Sequence, residues 1–377
     1  MHNSPNFSSG QSTNTSIFLI NEIVLNKSMK SVKIGNKMVG PGNPCFISFE
    51  PSATYSDLDS AKKMVEAAAM AGADAVKFQT FIPGDADRMM GKKDITIEFT
   101  TATGKKQELV YDALKRRELT KDEWKELVSF SNSLNVKFIS SAYFPETVQF
   151  LADLKVDAIK VSKGDINNVL LIDYMAKTQL PIILDAREKL DDVDRAVHVC
   201  ENNNNRDIVI MHCPSGYPAK NSEINLNAIK FLQQKYDYPI AFADHSPGGI
   251  MNYVAIGLGA VMLEKTITVD TKIEHVEHFM SLELSELKSF VNNIHAISES
   301  MGDGNVLTKS RVEESARRSL VAKVDIKTGQ TITKEMIDFW RPGDAGISCS
   351  ESFEILNKKA KIDVSKGTFL KWDMLST

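Results

Sequence analysis

The sequence predicts a (β/α)8 barrel followed by a small β-rich domain. Three observations lead there. Eight short apolar runs alternate with helix-period segments between Cys45 and Met301. No Gly-x-Gly-x-x-Gly follows any of those runs, which weakens the dinucleotide-binding form of the rival open, doubly wound sheet. The composition then breaks at Gly302 and Gly304, and short β-type runs with turn residues follow. The 377 residues suffice for a barrel of about 250 residues and a second domain of roughly 60. With 42% hydrophobic and 25% charged residues, a core of normal size can form. The formal net charge of −4 gives no global pull toward nucleic acid or an anionic membrane.

In chain order, residues 1–30 open with an Asn-, Ser- and Thr-rich stretch and read as a disordered tail. The apolar run Ser16–Ile20 is broken by Asn21 and Glu22. It is too short for a membrane span, and no Lys or Arg precedes it as in a signal peptide, which points to a cytoplasmic chain. The barrel unit is predicted over 31–302. Its opening segment, Ser31–Val39, reads as a hairpin turning at Gly35 and Asn36, suited to plug the barrel's lower end. The eight strands are predicted at Cys45–Phe49, Asp74–Phe78, Val136–Ser140, Ala158–Val161, Pro181–Leu184, Asp207–Met211, Ile240–Ala243 and Ala260–Leu263. Each is short and mostly apolar, as parallel strands buried on both faces should be. Leu58–Ala71 has Ala61, Met64, Val65, Ala68 and Ala69 at helical spacing, with Asp57 or Ser56 to cap it and Gly72 to end it. Thr120 and Glu123 have capping-box spacing ahead of Trp124 and Leu127. The segment 83–117 is too long for an ordinary βα loop, and both a lid over the site and a structural excursion are open readings. A polar linker is predicted over 303–318. The β-rich domain is predicted over 319–377, with runs at Leu320–Lys323, Asp325–Gly329 and Gln330–Thr333 and turns at Arg341–Gly343 and Lys366–Gly367.

In such a barrel the residues that end the strands face the active site. They are Glu50, Lys77 with Gln79, Ser141 with Tyr143, Lys160 with Lys163 and Asp165, and Asp185 with Arg187. The later strands add His212 with Ser215 and Tyr217, Asp244 with His245, and Glu264 with Lys265. Several lysines at one mouth suit a small anionic substrate, a phosphate or a carboxylate. The bland alternative is a rim of ordinary salt bridges. His245, just after a strand, is placed for metal binding or acid–base work. His275 and His278, with Glu264, Glu274 and Glu277, could complete a metal site or could be solvated loop residues. No HExxH fixes a metal by spacing. Cys45, Cys200, Cys213 and Cys349 form no CxxC pair and read as reduced thiols.

From about Ser31 to Leu375 the chain resembles the sialic acid (nonulosonic acid) synthases. The resemblance is carried by Ala71–Thr80, Phe138–Ser141, Met211–Pro218, Ala243–Ser246, Glu264–Thr268, Arg317–Ala322 and Arg341–Gly343, in that order and spacing. It implies a TIM barrel with a C-terminal SAF, or antifreeze-like, domain. It also implies condensation of phosphoenolpyruvate with an aldehydo-hexosamine, N-acetylmannosamine-like, assisted by Mn²⁺ or Mg²⁺. The resemblance makes Glu50 an essential acid, Asp165 an acidic residue near the sugar, and Glu264 an active-site acid. Lys77, Gln79 and Lys160 would hold phosphoenolpyruvate, with Ser141, Lys163, Ser215 and Tyr217 also on the substrate side. His245 matches the first of two metal histidines. Arg341 matches an arginine inserted by a partner subunit's SAF domain, which implies a domain-swapped homodimer.

The departures fall on the same machinery. Thr266 stands where the second metal histidine is expected, which leaves His278, Glu264 or water to join His245. Lys163 and Asp185 stand where phosphate-contacting serines are expected. Lys163 could bind phosphate by charge. Asp185 would repel it unless paired with Lys163 or Arg187. Ala243 replaces a small hydroxyl residue, Ser52–Ser56 lacks an Asn-His pair, and Glu277 replaces an Asp. Two other readings stay open on this scaffold. One is a Schiff-base aldolase using Lys163. The other is a non-catalytic sugar-binding homologue.

Overall fold

The computed structural model describes residues 29–187, 189–302 and 316–376. The predicted tail, apart from residues 29 and 30, and most of the predicted linker lie outside them. The chain divides into two compact units, 1–302 and 303–377.

The first unit opens with a hairpin. β1 (Val32–Ile34) and β2 (Lys37–Val39) pair antiparallel across a two-residue turn at Gly35 and Asn36, where Gly35 takes φ +59°. Val32, Ile34 and Val39 are buried in one cluster with Phe46, Ala75, Ile139, Ala158, Ile183, Val209, Ala241 and Met262 of the barrel strands. The hairpin therefore stoppers the barrel interior at its lower end.

The barrel strands are β3 (Phe46–Glu50), β4 (Ala75–Gln79), β7 (Lys137–Ser141), β8 (Ala158–Val161), β9 (Ile182–Asp185), β10 (Ile208–His212), β11 (Ile240–Asp244) and β12 (Met262–Thr268). All eight lie where the apolar runs predict them, most shifted by a residue toward the C-terminus. Each pairs in parallel with its neighbours, and β12 pairs with both β11 and β3, which closes the ring. Between them run α1 (Leu58–Ala71), α4 (Lys121–Ser133), α5 (Pro145–Asp153), α6 (Val169–Lys177), α7 (Leu190–Asn202), α8 (Asn227–Lys235) and α9 (Ile250–Gly257), with α10 (Leu287–Ser300) after β12. Asp57 with Ser60 and Thr120 with Glu123 form the capping boxes of α1 and α4. Trp124 of α4 is fully buried, packs edge-on against Phe78 and Phe138, and donates from Nε1 to the Phe81 carbonyl at 3.0 Å.

The long segment after β4 is ordered structure. It holds α2 (Asp85–Met89), an antiparallel hairpin of β5 (Thr96–Thr101) and β6 (Gly104–Leu109), and α3 (Val110–Lys115). It is clipped to two loops at the top of the barrel. Thr100 N donates to Tyr217 O at 2.9 Å, and Val276 N donates to Glu108 at 3.1 Å. Phe99 and Ala113 pack with Ala53 and Val276. A two-residue strand, β13 (Leu282–Glu283), pairs with the end of β12.

The second unit has a core of Leu320, Ala322, Ile326, Ile332, Ile337, Ile347, Ile355, Val364, Leu370 and Leu375, among others. β14 (Ser319–Ala322) pairs antiparallel with β15 (Ile337–Trp340). The runs predicted at 325–329 and 330–333 contribute isolated bridges, Ile326 to Val364 and Thr331 to Lys359, in place of regular strands.

Candidate active site

Successive side chains of a strand point to opposite faces. One set packs outward against the helices, among them Ile47, Phe49, Val76, Phe78, Ile159, Leu184, Ile210 and Phe242. The other set fills the interior, and its chemistry changes up each strand. Above Phe46, Ala75, Ile139, Ala158, Ile183 and Met262 come Glu50, Lys77, Ser141, Lys160, Asp185 and Glu264, all buried. His245 continues the same alternation beyond Ala241 and Ala243, and half-buried Gln79 follows Lys77. The upper ends enclose a cavity of about 240 Å³, completed by Ser162, Lys163, Gly164, Arg187, Tyr217 and Glu277. A larger cavity of about 690 Å³ lies at the opposite end, between the loop 41–45 and α10. Its lining is mainly apolar and brings no set of opposed charges together, so the chemistry belongs to the smaller one.

Charges in the smaller cavity are paired. Lys77 donates to Glu50, and Lys160 donates to Glu264. Arg187 grips Asp185 with Nε at 2.9 and 3.0 Å and Nη2 at 2.5 Å. Lys163 Nζ lies 3.4 Å from Ser215 Oγ. Gln79 Nε2 reaches Glu50 at 3.5 Å, while its carbonyl oxygen accepts from Arg117 Nη1 at 2.9 Å. Tyr217 stacks on His245, with ring centroids 5.2 Å apart. Gly216 takes φ +108°, and a Cβ there would meet Pro218 O at 2.9 Å, so only glycine lets the chain turn to place that ring.

Burial and pairing divide the acids into two groups. Burial alone would raise Glu50, but the Lys77 and Lys160 charges outweigh it and hold the carboxyl well below the usual range. Asp185 is likewise lowered, because Arg187 overcomes its burial. Glu264 is raised despite its contact with Lys160, since burial and the Glu50 charge together exceed that attraction. Glu277 is pushed up to about 7 by burial and by Glu50. Burial, then the Arg187 charge, lowers His245 to about 3, so its imidazole is neutral. Among the described residues the wall therefore holds four cations, two carboxyls held low by them and two that burial shifts upward. That balance suits a small anion.

Several expected site residues are placed elsewhere. Asp165 is not on the cavity wall. It accepts from Ser162 Oγ at 3.0 Å and Asn168 Nδ2 at 3.4 Å, which ties it into its own short turn. His278 is also off the wall, with Nδ1 2.7 Å from Thr268 Oγ1, and Glu277 before it faces the cavity instead. His275 bonds Glu108 of the insertion. Asp244 and Lys265 point outward and pair with each other at 2.9 Å. Ser141 is buried just below the cavity, and its Oγ has no hydrogen-bond partner among the described residues. Ser215 is exposed and lines a neighbouring cavity that shares Arg187. Arg341 belongs to the second unit and is exposed after β15. Arg117 was not foreseen. It enters from the end of the insertion, and no spacing signal marks it.

The donor set does not fit the divalent metal that the resemblance implies. Among the described residues no group of three or more His, Cys, Asp or Glu side chains is disposed to hold an ion. Among the described residues of the cavity wall His245 is the one imidazole, and three of the four carboxylates already face Lys or Arg. No step below is routed through a metal.

A closed (β/α)8 barrel with opposed charges gathered at the upper end of its interior, joined to a separate small β unit, defines the class. The chain belongs to the NeuB family. The model of that family matches residues 64–306, and the SAF domain model matches residues 317–376. The chain is 35% identical over 352 residues to an uncharacterized protein of Methanocaldococcus jannaschii, covering 92% of this chain and 99% of that one. It is 31% identical over 348 residues to the N,N'-diacetyllegionaminic acid synthase of Legionella pneumophila, covering 90% and 97%. Among solved structures, the N-acetylneuraminic acid (sialic acid) synthetase of Leptospira borgpetersenii, in complex with citrate, matches with a TM-score of 0.67 at 27% identity, over 76% of this chain and 95% of that one. Among the described residues no helix is long and apolar enough to cross a membrane.

Proposed function

We propose that this protein condenses phosphoenolpyruvate with an open-chain hexosamine aldehyde to give a nonulosonic acid and phosphate. The observation that carries the reading is the cavity at the top of the barrel, where Lys77, Lys160, Lys163 and Arg187 surround an ionised Glu50. The cations hold the anion. The methylene carbon of phosphoenolpyruvate attacks the aldehyde carbon, and the new bond leaves a cationic centre at the carbon bearing phosphate. The Lys160–Glu264 pair gives the aldehyde oxygen its proton. Glu50 takes a proton from the water that adds to the cationic carbon. Phosphate then leaves with cleavage of its bond to that carbon, giving a 3-deoxy-2-keto acid. The sum is one phosphoenolpyruvate, one aldehyde and one water to one keto acid and one phosphate.

The match to a legionaminic acid synthase and the likeness to a synthetase seen with citrate, a small polyanion, support this reading. Arg341 is proposed to act on the barrel of a partner subunit in a homodimer. The test is phosphate release from phosphoenolpyruvate with a panel of hexosamine aldehydes. Aldehyde-dependent release is expected. No release with any sugar, together with covalent mass on Lys163 after borohydride and a keto acid, would replace the reading with a Schiff-base aldolase.

A further inference from the structure

We propose that Arg187, held in place by Asp185, grips the phosphate of phosphoenolpyruvate in this chain. The inference rests on the condensation reading for its ligand and on the cavity geometry for its residues. Asp185 ends β9 with its side chain inward and buried. An isolated carboxylate there would repel a phosphate. It is not isolated, because Arg187 folds back from two residues on and takes both of its oxygens. The backbone N–H of Arg187 also donates to Asp185 Oδ1 at 3.2 Å, so the turn and the ion pair reinforce one geometry.

A guanidinium carries five N–H donors in a rigid fork. Asp185 takes Nε–H and one N–H of Nη2, and the Pro214 carbonyl accepts from Nη1 at 3.3 Å. Among the described residues one N–H on each terminal nitrogen is left, and Arg187 lines the cavity. A phosphate accepts such a pair bidentately. Lys163 and Ser215 lie on the same side, after the neighbouring strands β8 and β10. Arg187 also walls the adjoining cavity of about 330 Å³ that Ser215 lines. The bulky dianion therefore sits toward β8–β10, and the reacting carbons sit toward Glu50. Asp185 touches no substrate in this arrangement. It is a positioning residue for the guanidinium.

Phosphoenolpyruvate binding without sugar is measured by calorimetry on the full-length chain. The variants are Asp185→Asn alone and Asp185→Asn combined with Arg187→Met. The double variant removes both charges together and leaves no buried ion unpaired, so its melting curve should stay near that of the wild type. Its affinity for phosphoenolpyruvate is expected to fall about 10- to 100-fold. Inorganic phosphate, which should compete with phosphoenolpyruvate in the wild type, should lose affinity in parallel. Asp185→Asn alone should raise KM for phosphoenolpyruvate with the sugar KM unmoved. Wild-type affinity in the double variant overturns the proposal. So does a variant that loses pyruvate binding while keeping phosphate binding, because Arg187 would then hold the carboxylate. Arg187-dependent binding with no phosphate release from any aldehyde would sink the condensation reading and leave the phosphate site standing.

Discussion

At Glu277 the backbone takes φ +74°, a left-handed conformation that a long side chain rarely adopts. The strained turn aims a buried carboxyl into the cavity, where Oε2 has no hydrogen-bond partner among the described residues. With the folded carboxyl near 7 and an unfolded value near 4.5, the native state binds the extra proton. Its contribution to stability is thus fully present below about pH 4.5 and lost as pH rises through 7. Glu277→Gln should remove that slope and raise stability at pH 8 by on the order of 2 kcal/mol. Urea unfolding at pH 5 and pH 8 checks it, and an unchanged slope in the variant would refute the assignment. Glu50 has the opposite shift and a different task. Glu50→Gln should lower kcat by about 100- to 10,000-fold. The fold and phosphoenolpyruvate binding should survive, and full turnover in that variant would end its role as base.

Two elements decide what the barrel can do. The β1–β2 hairpin closes the lower end with apolar side chains, so the polar cavity exists only at the top. Ile34 is fully buried there. Ile34→Ala should cost about 2–5 kcal/mol in urea unfolding, with KM values near wild type. The insertion is the second element. Tyr55 OH donates to Arg117 O at 2.5 Å, and Glu108 binds Arg116, His275 and Val276 N. These contacts hold the segment over the site and deliver Arg117 to Gln79. Glu108→Ala should therefore expose the 96–109 hairpin to limited proteolysis and lower kcat/KM by roughly tenfold, with the barrel's melting temperature little changed. Protection equal to that of the wild type would mean that the clip does not hold the segment.

At the scale of the whole molecule, the chain has two independently cored units, and the proposed role of Arg341 links one subunit's second unit to another's barrel. Glu50→Gln and Arg341→Ala should each be inactive as homodimers. Co-refolded one to one, the population should recover roughly one quarter of wild-type activity, because about half of the dimers are mixed and one of the two sites in each of those pairs an intact barrel with an intact Arg341. No recovery would place Arg341 on its own subunit's site or outside catalysis.

Strand order, the lower plug, the helix caps and the division into two units were legible in the sequence. Those features follow from local periodicity and turn chemistry, which a strand or helix carries in its own residues. The inward set Glu50, Lys77, Lys160, Asp185 and Glu264 was legible for the same reason, since a period of two fixes which side chains share a face. Direction beyond the strand ends was not. Asp165 and His278 looked equivalent to the residues on the wall, yet each turns to a partner outside the cavity. A loop side chain follows whichever hydrogen bond the folded neighbours offer, and those neighbours are distant in sequence. Tertiary structure alone brought Arg117 from the insertion to Gln79, turned Glu277 inward on a strained backbone, and showed that Arg187 takes up the Asp185 carboxylate. The sequence determined the barrel and the residues available to it. The three-dimensional pairing of buried charges decided which of them can act, because in a low-dielectric interior each charge is defined by its partner.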